Sequence, residues 1–106
     1  MKRLHLHVVV DSLARAVGFY SGLFGARPCC AGATYANWRI DEPPVNFAAS
    51  QTDRPRGIAH FGLEVETPAE LTAIDRALGD RHRVAGDVPW EVSVRQQRIR
   101  QRESAA

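Results

Sequence analysis

The stretches RLHLHVVVDS (residues 3–12) and IAHFGLEVET (residues 58–67) decide the fold, because they are two copies of one pattern. Each is an apolar run of strand composition, carries a histidine (His5, His60), and closes on a hydroxyl residue (Ser12, Thr67) placed as a helix N-cap. His5 and His60 stand 55 positions apart, and so do Ser12 and Thr67. A chain that repeats strand, cap and helix at fixed spacing is two modules in tandem. Modules related by an approximate two-fold bring equivalent residues to one point, and two convergent imidazoles are the core of a metal site.

The first strand puts His5, His7 and Val9 on one face and Leu4, Leu6, Val8 and Val10 on the other. After Ser12 the period changes to that of a helix. Leu13, Ala16, Val17, Tyr20, Leu23 and Phe24 fall on one face, Arg15 and Ser21 lie outside it, and Gly25 ends it. Three extended pieces follow, at 27–31, 35–40 and 45–50, with Glu42-Pro43-Pro44 turning the chain between the last two. The polar stretch QTDRPRG links this module to the next. There, 58–66 reads as a strand with His60, Gly62, Glu64 and Glu66 opposite Phe61, Leu63 and Val65. Thr67-Pro68-Ala69-Glu70 is a capping box with proline at the first helical position. Leu71, Ile74 and Leu78 line the helix, and Gly79 stops it. Between Gly79 and the arginine-rich end only 90–94 reads as a strand. The expectation is an α+β fold of tandem βαβββ modules with the second shortened to about βαβ. Residues 1–94 form one domain (modules 1–52 and 57–94), and 95–106 form a frayed or disordered tail.

Composition removes several function classes. The chain has no apolar run of the roughly 18 residues a membrane span requires. Its N-terminal apolar stretch is broken by His5 and His7 and followed by Asp11, which does not read as a secretion signal, so a cytoplasmic protein is expected. The net charge of +2 hides a basic end, RQQRIRQRESAA, that lacks aromatic residues and any nucleic-acid motif, which argues against a nucleic-acid partner. Cys29 and Cys30 are adjacent and so do not suggest a disulfide framework. They could chelate a soft thiophile or could simply be small apolar side chains. His7 shares the face of His5 but reads as a neighbour of the site or a surface residue, and His82 lies in polar loop composition.

The order strand, helix and three strands, repeated with a histidine on each first strand, resembles the vicinal oxygen chelate superfamily of glyoxalases, bleomycin-resistance proteins and extradiol dioxygenases. FYSGLFGARP, YANWRI, PPVNF and HFGLEVE are similar to its cadmium-induced and organoarsenical-lyase group. The resemblance runs over residues 1–78 and resumes at GDVPWEV. It implies a divalent metal, Fe(II) first and Mn, Ni or Zn as alternatives, held by His5, His60 and Glu91. In that fold Trp38, Phe47 and Phe61 read as cavity walls, with core packing as the alternative for aromatic residues in strands, and the resemblance also implies a small-molecule substrate and a homodimer. The group's vicinal cysteine pair follows its second helix. Cys29 and Cys30 do not match that place, and the hairpin expected between the second helix and PWEV is missing here. The function so implied is a metal-dependent lyase or dioxygenase in arsenical or heavy-metal resistance. The alternative is a non-catalytic protein that sequesters a small molecule or metal, and the missing hairpin leaves the choice open.

Overall fold

The computed structural model describes residues 2–79 and 90–95. The readings of His82, of the missing hairpin between Gly79 and Trp90 and of the tail beyond Arg95 lie outside the described residues. Eight elements follow in order: β1 (Arg3–Val9), α1 (Leu13–Phe24), β2 (Cys30–Ala31), β3 (Tyr35–Ile40), β4 (Val45–Ser50), β5 (Gly57–Val65), α2 (Pro68–Leu78) and β6 (Trp90–Val94). The fold is α+β, with a βαβββ first half and, among the described residues, a βαβ second half. No helix among them is long and apolar enough to cross a membrane.

The strands form one six-stranded sheet in the order β2-β3-β4-β1-β5-β6. β1 pairs in parallel with β4, β5 pairs in parallel with β6, and β1 and β5 run antiparallel at the join. Two equivalent parallel pairs meeting back to back across one antiparallel seam is the arrangement of an internal two-fold. The seam has one irregularity: His7 faces His60 but Val8 faces Ile58, so Ala59 is an extra residue on β5.

Helix ends follow the residues that mark them. Ser12 Oγ accepts from the Arg15 N–H at 3.2 Å, and Gly25 closes α1 at φ 65°, a conformation that favours glycine. Thr67 and Glu70 satisfy each other's free backbone groups in a capping box.

The core lies between α1 and one face of β1, β3 and β4. Trp38 is fully buried and Phe47 nearly so, packed with Val8, Leu13, Ala16, Ala36 and Ala49. Tyr20 sits 4.4 Å from the Phe47 ring and 5.9 Å from Trp38, centroid to centroid, and Phe24 sits 5.3 Å from Phe47. α1 is rotated slightly from the expected face. Ser21 turns to the sheet, because the buried Trp38 indole N–H needs an acceptor and donates to Ser21 Oγ at 3.3 Å. Leu23 and Phe19 turn outward and are each 63% exposed. The 27–31 strand is shorter than expected, with only Cys30 and Ala31 in the ladder.

The second half is packed far more thinly. α2 has no buried residue, although Leu71 and Ile74 lie half-buried on the expected face. Only β5 and β6 lie beneath it among the described residues, where α1 has β1, β3 and β4. Trp90 stacks on Phe61 at 5.1 Å yet stays 54% exposed because β6 is the outermost strand described.

This asymmetry predicts where stability is concentrated. Trp38→Ala should cost about 3–5 kcal/mol in urea denaturation, the range for an aromatic removed from a close-packed core. Leu71→Ala should cost less than about 1 kcal/mol, as expected for a side chain outside the core.

Candidate metal centre

On the face of the sheet opposite α1, side chains from both halves line a cavity of about 300 Å³. Strand alternation decides which ones. On β1 the odd residues His5 and His7 face it, and on β5 the even residues His60, Gly62 and Glu64 do. Gly62 stands opposite His5 and His60 opposite His7, so His5 and His60 are diagonal neighbours across the seam. Their Nε2 atoms lie 3.1 Å apart, and the rings are stacked at 25°.

The parallel β5–β6 register sets Gly62 beside Glu91. Glu91 Oε1 reaches to 3.3 Å from His60 Nε2. Ligand atoms of His5, His60 and Glu91 all lie within 4.8 Å of one another. Two nitrogens bound to one ion at about 2.0–2.1 Å each stand roughly 3 Å apart, so the spacing fits a shared ion without rearrangement. The glycine makes this closeness available. A Cβ at Gly62 would lie 3.0 Å from the Glu91 carbonyl oxygen, 3.2 Å from Glu91 Cγ and 3.3 Å from His5 Cβ.

Burial, and then the neighbouring His60, push His5 below its usual pKa, with Glu91 acting in the opposite direction. His7 is lowered as well, first by burial and then by His60 and His5. Both imidazoles therefore stay neutral at neutral pH, the form that offers a lone pair to a metal.

The same cavity face carries a continuous polar network, with Asn46 beside His5 in the β1–β4 register. The ion pair of Arg39 and Glu64 is largely shielded from solvent, with side chains 14% and 8% exposed. Burial pushes Glu64 up, yet the Arg39 guanidinium, with a hydrogen bond from Asn46, holds it below the usual carboxylate range. Asn46 Nδ2 donates to Glu64 Oε1 at 3.1 Å, and Asn37 Nδ2 donates to Asn46 Oδ1 and, at 2.9 Å, to the Phe47 carbonyl.

The structure thus brings His5, His60 and Glu91 together but places Trp38 and Phe47 elsewhere. These two were expected as cavity walls and instead point to α1. The physical reason is alternation: Asn37 beside Trp38, and Asn46 and Ala48 on either side of Phe47, take the cavity face. Tyr35, Asn37, Asn46 and Ser93 were not read from the sequence as lining residues. The alternation of polar residues with the buried aromatics in YANWRI and VNFA was the available signal. His7 also lines the cavity, its Nε2 2.8 Å from Ser50 Oγ. Cys29 and Cys30 are free thiols at β2. Cys29 Sγ donates to the Asn37 carbonyl at 3.3 Å and to its Oδ1 at 3.4 Å, and burial pushes its thiol up.

No protein-family model matches the chain. It is similar to the trivalent organoarsenical cleaving enzyme of Bacillus sp. (strain MD1), 34% identical over 82 residues covering 76% of this chain and 51% of that protein. The protein of the same name from Thermomonospora curvata is 37% identical over 81 residues, 74% of this chain and 53% of that one. The cadmium-induced protein CadI of Mycobacterium tuberculosis (strain H37Rv) is 38% identical over 66 residues, 61% of this chain and 43% of that one. The chain spans about half the length of the curated relatives it matches. Among solved structures it resembles a NAD-dependent benzaldehyde dehydrogenase from Legionella pneumophila, with a TM-score of 0.50 over 74% of this chain and 71% of that one. At 15% identity that likeness concerns the fold alone.

Two measurements follow from the geometry. Gly62→Ala should destabilise by about 1–3 kcal/mol, the cost of overpacking. Gly22→Ala in α1, with nothing within 4 Å of the added carbon, should be neutral or stabilising by up to about 1 kcal/mol. Thermal unfolding compares the two. As for pH, the lowered His5 and His7 bind protons more readily when unfolded than when folded. Their contribution to stability is complete above the ordinary value of 6.5 and falls as pH drops from there toward the folded values. The melting temperature of the metal-free chain should therefore decline below that pH, and less steeply in His5→Asn.

Proposed function

We propose that the chain is a divalent-metal-dependent lyase-type protein of the glyoxalase/bleomycin-resistance/dioxygenase superfamily, acting on a trivalent organoarsenical. The observation that supports this most is the meeting of His5, His60 and Glu91 on one cavity wall, their ligand atoms within 4.8 Å. The similarity to organoarsenical cleaving enzymes supplies the substrate class. Two imidazole nitrogens and one carboxylate oxygen suit iron(II), and next manganese, nickel or zinc. When bound, the ion supplies Lewis-acid polarisation of the substrate atom that it touches. The chain's own residues do the remaining work. His5 and His60, on neighbouring strands of a packed sheet, present their nitrogens without a conformational search. Gly62 lets Glu91 close on them, and the Arg39–Glu64 pair keeps the polar part of the cavity face fixed beside them.

A second reading, sequestration without turnover, is favoured by one feature. Glu91 sits on the outermost described strand and is 57% exposed, so its side of the cavity excludes water poorly.

Anaerobic titration with Fe(II) or Mn(II) tests the proposal. One ion per chain is expected, with affinity reduced at least about tenfold in His60→Ala and in Glu91→Gln, since removing a ligand leaves two donors. The iron-loaded chain should release inorganic arsenite from a trivalent organoarsenical, read by chromatography. Metal and ligand binding without release would favour sequestration. Equal metal binding by wild type and Glu91→Gln would remove the carboxylate from the site.

A further inference from the structure

The two halves differ at one position of the centre. Leu6 pairs with Phe47 as Phe61 pairs with Trp90, and His7 pairs with Ala48 as Gly62 pairs with Glu91. His5 and His60 hold equivalent places on β1 and β5, so the first-half equivalent of Glu91 is Ala48. Ala48 lies in the wall of the same cavity and is 2% exposed. A methyl group cannot ligate an ion. The duplicated frame therefore offers four equivalent positions, of which three carry donors. The position without one is on β4, and a three-donor site that leaves a place for an outside ligand is the form catalytic metal sites take.

The wall around that place is arranged to receive a polar group. Asn46 shares the cavity face with Ala48, two residues away on β4. Its amide orientation is determined by its neighbours. Glu64, ionised and paired with Arg39, draws Nδ2, while Asn37 Nδ2 occupies Oδ1. A primary amide nitrogen carries two hydrogens. One is on Glu64, and the second has no acceptor among the described residues. Held by these two neighbours at the cavity wall, the half-buried amide presents its second N–H to an oxygen that enters the cavity.

We infer that substrate approaches the ion from the first-half wall, over Ala48, and that one of its oxygens accepts the second N–H of Asn46. Asn46 is then a specificity-determining residue. The ligand class is a small molecule bearing an oxygen acceptor within a bond or two of the atom that meets the ion. This rests on the metal-dependent reading above. It goes beyond that reading by assigning the side of approach and the group recognised there.

Cobalt(II) loaded into the full chain provides a visible-absorption readout independent of activity. Acetohydroxamate, which offers oxygen, and imidazole, which offers none, are the probes. The wild type should bind one cobalt ion and respond to both. Asn46→Ala should keep cobalt and the imidazole response but weaken acetohydroxamate about tenfold, the loss of one hydrogen bond. Ala48→Glu should keep cobalt and lose the acetohydroxamate response, because its carboxylate fills the open place. It is also made with His7→Gly, since His7 stands where Gly62 makes room for Glu91. Should Ala48→Glu fail to fold by circular dichroism, the Asn46→Ala result decides. Cobalt-loaded variants that bind acetohydroxamate as the wild type does would overturn the inference alone. A wild type that binds no cobalt would overturn the metal-dependent reading and the inference together.

Discussion

The antiparallel pairing of β1 with β5 is the constraint on which the rest of the structure depends. It is the only seam between the two halves of the described sheet, and every donor of the candidate centre lies on it or one strand away. Because side chains alternate along a strand, a one-residue slip there would send His5 or His60 to the opposite face and separate the imidazoles. The extra residue Ala59 is accommodated on the far side of His60 from Gly62, so the register that matters, Gly62 opposite His5, is undisturbed. The apolar face of β1 helps to hold that register. Val8 is locked into the helix-covered core, so the other face of the strand must carry His5 and His7 to the cavity.

The two faces of the sheet use different physics. Under α1, close-packed aromatic rings remove apolar surface from water and keep the strands from shifting. On the cavity face, polar side chains are held by one another. Arg39 and Glu64 form a pair that would be expensive to break, since either partner alone would be a shielded charge without compensation. The pair therefore contributes less through its own strength than through what it orients: it fixes Asn46, which fixes Asn37, on the cavity face beside the candidate metal ligands.

Asymmetry between the halves has consequences for function. The first half has three strands under its helix, and the second has two among the described residues. His60 lies on a strand paired on both sides, whereas Glu91 lies on the outermost described strand, whose Trp90 is half in solvent. The imidazole pair is thus the rigid part of the centre and the carboxylate its adjustable part. Binding an ion would tie β6 to the body of the sheet, so the metal reading and the stability of the second half are linked.

Much of this was legible in the sequence by itself. The 55-residue repeat, the caps at Ser12 and Thr67 and the glycine stops are local signals, each set by the chemistry of a few neighbouring residues, and the helices begin and end where those signals stand. The pairing of His5 with His60 was also accessible, because equal spacing from equivalent caps implies equivalent places in two like modules. Tertiary structure alone decided the rest. Trp38 and Phe47 could have faced either way until the sheet was placed against α1, and an aromatic residue in a strand goes to whichever side has a helix to cover it. The extent of the 27–31 strand depended on what β3 could pair with. Most of all, the proximity of Glu91 depended on a parallel register between β5 and β6 and on the absence of a side chain at Gly62. No local pattern encodes that contact, since it exists only once two strands distant in sequence lie side by side.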